Sequence, residues 1–425
     1  MIIALMILII VFLLGSVPIY VSLGLAAFLA VVFFGDVEPM LLIQRLFAGL
    51  DQFALMALPL FILAANIMDG GGLSKRILQF ARDLVGHLAG GVAMTTQVAS
   101  MFFGSLSGSA PATVVAVGKI MYPQLIKDGY PKTFSTGLLA SAGAISLILP
   151  PSITLIIYGS VTGVSVSDLF IAGIGAGIVF GLSAVVYIYI YAKRHNVPRS
   201  KKASRKQLLS STRKASWALL IPIIILGGIY SGIFTPTEAA GVSAIYALLI
   251  SIFVYRDMSF KKFYRICVES AITTAQVLVL VAAAQVLGWL LTRGQVPQMV
   301  ATFIAENISS PFVFLLLFNL LLLVLGMFIE GVAAIIVVAP LIFSAAVSLG
   351  VDPVHLGIIM ITNLSIGMYT PPFGLNIFVT QSIAKTSLKE MLPGLMVFLG
   401  VNLIALLIIT YVPDVSLFLV KLFNG

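Results

Sequence analysis

Residues 103–111 read FGSLSGSAP, a short polar run of glycines and serines inside an otherwise apolar sequence. In hydrocarbon every backbone N–H and C=O needs an internal partner, so irregular polar backbone is tolerated at membrane depth only where it is buried in protein or lines a cavity. The two arms flanking the run, within 91–126, are each about 15 residues, short of the roughly 30 Å apolar core at 1.5 Å per residue. The stretch is therefore expected to form the tip of a re-entrant helical hairpin and to supply half of a solute and ion site. The rest of the chain must supply the other half.

Composition sets the environment. Of 425 residues, 60% are hydrophobic and 9% charged, and the mean hydropathy is +1.15. These figures exclude an ordinary soluble domain and imply an all-α polytopic membrane protein. Apolar runs long enough to span recur from 2–34 to 394–411. The first has no basic n-region and is too long for a signal h-region, so it reads as a retained helix. A single cysteine, Cys267, excludes an internal disulfide and a multi-cysteine metal site. The scattered His87, His195 and His355 argue against zinc or haem. There is no GxxxxGK[ST] loop, no HExxH and no aspartate-rich pair. The reading is of a protein that is not an enzyme, has no organic cofactor, and draws its energy from ion gradients.

The formal net charge of +9 is unevenly placed. Residues 193–214 hold nine basic side chains, Lys193, Arg194, Arg199, Lys201, Lys202, Arg205, Lys206, Arg213 and Lys214, and no acid. Short cytoplasmic loops collect Lys and Arg, so this loop is expected to be cytoplasmic, and the basic excess reports topology rather than nucleic acid. The alternative is a patch for anionic membrane lipids. Taken in order, the chain reads as spans at 2–34 and 46–68, the hairpin at 91–126, a helix at 133–158 broken by Pro150-Pro151, and a span at 169–191. The basic loop and one linking span occupy 193–235. Spans at 237–255 and 271–291, a short outer helix at 296–306, a second hairpin at 311–349, a second broken helix at 353–384 and a last span at 391–411 complete it.

The second half repeats the first. Pro371-Pro372 follows Pro150-Pro151 by 221 residues, and the same offset links Asp36 with Asp257, Gly129 with Gly350, and Gly173 with Gly394. Residues 1–192 and 236–425 are accordingly read as two copies of one unit. Each copy holds four crossings and one hairpin and so starts and ends on one side. The linking span carries the chain across before the second copy begins, so the repeats are expected to be inverted, as in secondary transporters. Charge gives an independent check: of 24 Lys and Arg, only Arg45, Arg293 and Lys421 fall outside in this topology. The N-terminus is then cytoplasmic and the C-terminus external.

Two hairpins entering from opposite faces bring their tips together beside the broken helices. Carbonyls freed at half-helix ends, with hydroxyls, suit Na⁺, and half-helix N-termini suit a carboxylate. The candidates for Na⁺ are Ser105, Ser107, Gly108, Gly143, Ser146 and Pro150 in the first copy, and Gly326, Asn363, Gly367, Thr370 and Pro371 in the second. Ser109 and Glu330 stand 221 residues apart on the two tips and are read as solute contacts, with Thr154 and Asn376 after the two proline doublets. A carboxylate at membrane depth costs roughly 2.5–3.5 kcal/mol on insertion scales, so Glu330 needs an ion, solute hydroxyls, or the amides of its own tip as a cap. Arg45 and Arg293 are read as anchors at the outer interface, with anion binding as the alternative.

The run FFGSLSGSAPATVVAVG at 102–118, DGYP at 128–131, LILPPS at 147–152, the basic central loop, and GMFIEG and YTPPFGLN in the second half together resemble the large membrane subunit, DctM-like, of tripartite ATP-independent periplasmic (TRAP) transporters. The resemblance spans essentially the whole chain. It implies Na⁺-coupled, elevator-type uptake across the bacterial inner membrane, in which hairpins and broken helices slide against a scaffold. It also implies a small, DctQ-like membrane subunit, here a separate chain, and a soluble periplasmic binding protein that delivers an organic anion. Overall similarity leans toward the sialic acid branch ahead of four-carbon dicarboxylates. A free-standing Na⁺/carboxylate symporter of similar architecture and a channel are the other readings.

Overall fold

The computed structural model describes residues 1–15, 17–35, 37–195, 197, 202–308 and 310–424. Asp36, Arg199 and Lys201, used in the repeat and charge arguments, lie outside the described residues. Helices account for the fold, with no strand among the described residues. In the first half these are α1 (Ile2–Leu14), α2 (Ile19–Phe34), α3 (Pro39–Leu50), α4 (Ala57–Gly70), α5 (Leu73–Val85), α6 (Gly91–Ser107), α7 (Ala110–Lys127), α8 (Lys132–Ala144), α9 (Ile153–Thr162) and α10 (Val166–Arg194). Then come α11 (Arg205–Tyr230), α12 (Pro236–Leu249), α13 (Phe260–Arg293), α14 (Val296–Asn307), α15 (Pro311–Gly326), α16 (Gly331–Ser348), α17 (Pro353–Gly367), α18 (Leu375–Ala384), α19 (Leu388–Tyr411) and α20 (Asp414–Asn424). Among the described residues, seven helical segments are long and apolar enough to cross a bilayer: Phe53–Gly70, α10, α11, Pro236–Val254, α13, α16 and α19. Their outer faces leave side chains such as Ile223, Phe253 and Ile404 exposed, as lipid-facing surface requires. The chain is a polytopic helical membrane protein.

Several boundaries differ from the sequence reading. The run 2–34 is two helices, not one span. Gly15 ends α1, Pro18 has no N–H to continue it, and α2 folds back so that a Cβ added to Gly35 would lie 3.3 Å from Met1 Sδ. Both ends of this pair therefore lie on one side. The span at 46–68 is divided at Asp51 and Gln52, which separate α3 from a short 3-10 turn, Phe53–Met56, that leads into α4. Its counterpart in the second half is continuous: the span expected at 271–291 lies within α13, a single helix of 34 residues. The hairpin arms are also longer than expected, at 17 and 18 residues in the first hairpin and 16 and 18 in the second. Helix α20 follows the last span and packs on α10.

The element bounds keep the 221-residue spacing in the second half of each unit. Helices α7 and α16 are displaced by 221 at both ends, α8 and α17 begin 221 apart, and both proline doublets are joined by cis peptide bonds. Packing at the centre depends on glycine. A Cβ on Gly137 of α8 would stand 2.5 Å from the Gly394 carbonyl carbon of α19, and one on Gly394 would stand 1.8 Å from the Thr133 carbonyl oxygen. Small residues permit this close helix approach, which in lipid replaces the hydrophobic drive of a soluble core.

Candidate ion and solute site

The first cluster is assembled where the α6–α7 tip meets the break between α8 and α9. Gly108 ends α6 with φ +57, a left-handed conformation that costs glycine nothing. Ser109 is extended, and Pro111 occupies the first turn of α7, where its missing N–H is no loss. A Cβ on Gly104 would stand 2.8 Å from Ser146 Oγ, and one on Gly108 3.0 Å from the Pro151 carbonyl oxygen. Across this contact runs a chain of hydroxyls: Ser107 Oγ lies 2.9 Å from Thr113 Oγ1, Thr113 Oγ1 lies 2.7 Å from Ser146 Oγ, and Ser146 donates to the Gly143 carbonyl at 2.9 Å. Thr113 Oγ1 also lies 3.0 Å from the Ser109 carbonyl, so each hydroxyl proton has an acceptor within the cluster and oxygen lone pairs are left over. Gly143 itself allows α7 to approach, since a Cβ there would lie 2.3 Å from Val114 Cγ2.

The second cluster lies where the α15–α16 tip meets the break between α17 and α18. Here backbone touches backbone: a Cβ on Gly367 would stand 2.7 Å from Gly326 Cα, and one on Gly326 3.0 Å from Gly367 Cα. Thr370 donates to the Ile366 carbonyl at 2.8 Å. Asn363 donates from Nδ2 to the Asn319 carbonyl at 2.9 Å and to its Oδ1 at 2.8 Å, and Asn319 in turn donates to Thr410 Oγ1 at 3.0 Å. The other end of the Asn363 amide, Oδ1, is buried without a hydrogen-bond partner among the described residues. Such an acceptor is costly when left unpaired and marks a place for a cation or water.

The two halves are tied together at these breaks. Ser365 donates to the Ala144 carbonyl at 2.6 Å, and Asn376 Nδ2 to the Ala140 carbonyl at 2.9 Å, while Asn376 Oδ1 is a second buried acceptor without a partner among the described residues. A Cβ on Gly331 would touch both Leu147 and Leu364 at 3.8 Å, so the second tip reaches the first break. Residue by residue, the contacts bring Ser107, Gly108, Gly143 and Ser146 to the first break and Gly326 and Gly367 together at the second, with Thr370 three residues past Gly367 and Asn363 one turn before it on α17; Pro150 and Pro371 stand in the cis proline doublets themselves. Ser105 stands aside, its hydroxyl donating to Phe102 of its own helix. Thr154 points inward, donating with Ser152 to the freed Leu147 carbonyl at 2.9 and 2.6 Å. Half-buried Glu330 caps α16, its Oε2 accepting from Val332 N at 3.0 Å and Ala333 N at 3.4 Å, whereas Ser109 makes no side-chain cap on α7.

The comparisons with known proteins agree with this architecture. The family profile described as tripartite ATP-independent periplasmic transporter, DctM component, matches residues 6–415. The chain belongs to this family. It is 42% identical to the C4-dicarboxylate TRAP transporter large permease protein DctM of Pseudomonas aeruginosa, over 93% of each chain. It is 37% identical to the sialic acid TRAP transporter large permease protein SiaM of Vibrio cholerae, over 90% of each. Among solved structures, the Alcanivorax borkumensis YdaH transporter superposes with a TM-score of 0.59 at 16% identity, covering 88% of each chain, a likeness of fold alone. The chain is thus a TRAP large permease subunit for organic acids, a multi-pass protein of the bacterial inner membrane and not an enzyme; such subunits work with a small membrane subunit and a periplasmic binding protein.

In this TRAP permease the sequence reading missed Thr113, Ser152, Asn319 and Ser365. Asn319 carried a signal: it is the one polar side chain in PFVFLLLFNLLLLVLG at 311–326, and a lone amide among leucines in a membrane helix needs a partner. Thr113 carried none, since a threonine inside a helix ordinarily bonds its own preceding turn.

Proposed function

We propose that this permease couples inward Na⁺ movement to uptake of a small organic acid, with one Na⁺ behind each hairpin tip and the solute between them. The observation that carries this reading is the pairing of a hydroxyl chain at the first helix break with a buried Asn363 Oδ1, one turn before the second, that has no hydrogen-bond partner among the described residues. Carbonyl and hydroxyl oxygens at discontinuous helices are the donor set for Na⁺ in secondary transporters. Ser107, Ser146 and the Gly143 carbonyl serve the first ion, with Thr113 joining them. Asn363, Thr370 and the carbonyls of Gly326 and Gly367 serve the second. Ser109, Glu330 and Asn376 face the solute, with Asn376 Oδ1 free to accept from a hydroxyl. Thr154 acts behind them by holding the Leu147 carbonyl.

The hairpins and broken helices move as one body against α2–α4 and α11–α13, which form the scaffold. With the basic central loop inside, the folded-back α1–α2 pair places both Met1 and residue 35 outside, in place of the cytoplasmic N-terminus expected from a single span. Two Na⁺ entering with one monovalent anion carry one net charge, worth about 2.3 kcal/mol per 100 mV. Relatives named for four-carbon dicarboxylates and for sialic acid stand at 42% and 37% identity, so succinate and N-acetylneuraminate are both test solutes. The test is uptake into proteoliposomes holding this chain and the small subunit, with binding protein outside. Uptake is expected to require an inward Na⁺ gradient and all three proteins. Equal uptake without Na⁺ defeats the coupling; uptake by this chain alone points to a free-standing symporter, and non-saturating flux to a channel.

A further inference from the structure

A cleft away from both tips lies between α3 and α13 on one side and α9 and α16 on the other. Helix α3 lies against α13 through two pairs one turn apart. A Cβ on Gly49 would stand 2.5 Å from Gln285 Cβ, and Arg45, one turn earlier, lays its guanidinium 5.2 Å from the centroid of the Trp289 ring. Beyond this seam the cleft encloses about 340 Å³, with Ile336 and Pro340 of α16 on the far wall and with Thr292 and Gln52, whose Oε1 accepts from Ser160 Oγ at 2.6 Å, also in its lining. No acidic side chain lines it, and among the described residues Arg45 has no carboxylate at ion-pair distance.

We propose that this cleft is an outer subsite that receives the carboxylate of an organic acid before it reaches the tips. Stacking on Trp289 fixes the Arg45 side chain and leaves its planar fork to take a carboxylate in two parallel N–H···O bonds. Gln52, Gln285 and Thr292 supply donors and acceptors for the hydroxyls or second carboxylate of such an acid, and the volume is that of a small-molecule site. The far wall belongs to the helix that carries the second tip. Ile336 and Pro340 lie five and nine residues beyond Gly331, about 8 and 14 Å along α16 at 1.5 Å per residue, so the cleft leads along one helix toward Glu330. An arginine acting only as an interface anchor needs neither a cleft nor two glutamines in its lining.

This inference rests on the transport reading, and the test separates the two. The chain has two tryptophans, so Trp217→Phe leaves Trp289 as the only reporter. The purified protein in lipid nanodiscs is titrated with succinate and N-acetylneuraminate, with succinamide as the uncharged control. The acids are expected to change Trp289 emission saturably and succinamide not. Arg45→Gln is expected to weaken the response about tenfold, as for loss of a charge-assisted pair. Arg45→Lys, which keeps the charge without the fork, is expected to weaken it about threefold and serves if the glutamine variant does not fold. Equal responses to acid and amide, or equal affinity in both variants and the parent, overturn the subsite. In the three-part uptake assay, an unchanged KM in Arg45→Gln overturns it while leaving transport standing. If the unmodified protein shows no Na⁺-dependent uptake, the transport reading fails and the Trp289 titration still decides the subsite.

Discussion

At the first tip hydroxyls close on one another, Ser107 to Thr113 to Ser146 to the Gly143 carbonyl, whereas at the second tip two glycine backbones meet and a buried amide oxygen on Asn363 is left open. The first tip has a neutral, uncapped Ser109 where the second has Glu330 capping its own helix. The same unit thus holds one self-satisfied cluster and one unsatisfied one. The first pocket keeps its shape without an ion because its protons have acceptors. The second has an acceptor that only a cation or water completes. This difference predicts that Na⁺ stabilises the second cluster more than the first.

The largest effect is expected where backbone meets backbone at the second tip. Gly367→Ala sets a Cβ against the Gly326 backbone, which cannot swing aside, and is expected to cost about 3 kcal/mol. Gly104→Ala meets chiefly the end of the Ser146 side chain and is expected to cost about 1 kcal/mol. Thermal unfolding of the purified proteins checks the order, and equal losses would remove the distinction between the tips. Next is Asn319→Leu, which removes the Oδ1 acceptor of Asn363 Nδ2 and the donor to Thr410 Oγ1 while the Asn319 carbonyl still accepts. The expected cost is about 2 kcal/mol, with a weaker Na⁺-induced rise in melting temperature because the Asn363 amide is then held by one bond in place of two.

Thr113→Val keeps shape but interrupts the hydroxyl chain, for an expected loss of about 1 kcal/mol and a raised Na⁺ requirement in uptake. Ser105→Ala, outside that chain, should stay within about 0.5 kcal/mol; a larger Na⁺ effect at Ser105 than at Thr113 would reverse the assignment. The smallest stability effect is expected from Glu330→Gln, because the amide oxygen still accepts from Val332 N and Ala333 N. Its melting temperature should hardly move while solute affinity falls. If affinity is also unmoved, Glu330 is a cap and nothing more.

Legibility in the sequence followed the chemistry. Pro150-Pro151 and Pro371-Pro372 announced the helix breaks because proline has no N–H, wherever it sits in the fold. Serines at 105, 107 and 109 announced a polar tip but not which of them faces the cluster: on a helix end, one residue is 100° of rotation. Ser105 turned back to Phe102 and Ser107 turned to Thr113 for that reason alone. Glu330 was open between solute and cap from the start, and the geometry shows the cap without excluding the other role, since Oε2 takes both amide bonds.

What the sequence determined by itself is what depends on local chemistry and length: an apolar chain that must be helical in lipid, breaks at the proline doublets, the polar tips, and the 221-residue spacing. What only the tertiary structure decided depends on which surfaces meet. Hydropathy is blind to direction, so an apolar run of span length cannot reveal that α1 and α2 fold back on each other. Thr113, Asn319 and Ser365 acquire their roles from partners 33, 44 and 221 residues away; helical periodicity does not reach across such separations, and the 221-residue repeat marks equivalent positions without placing them in contact. The Arg45 cleft is of the same kind, because its walls come from four helices whose nearness only packing creates.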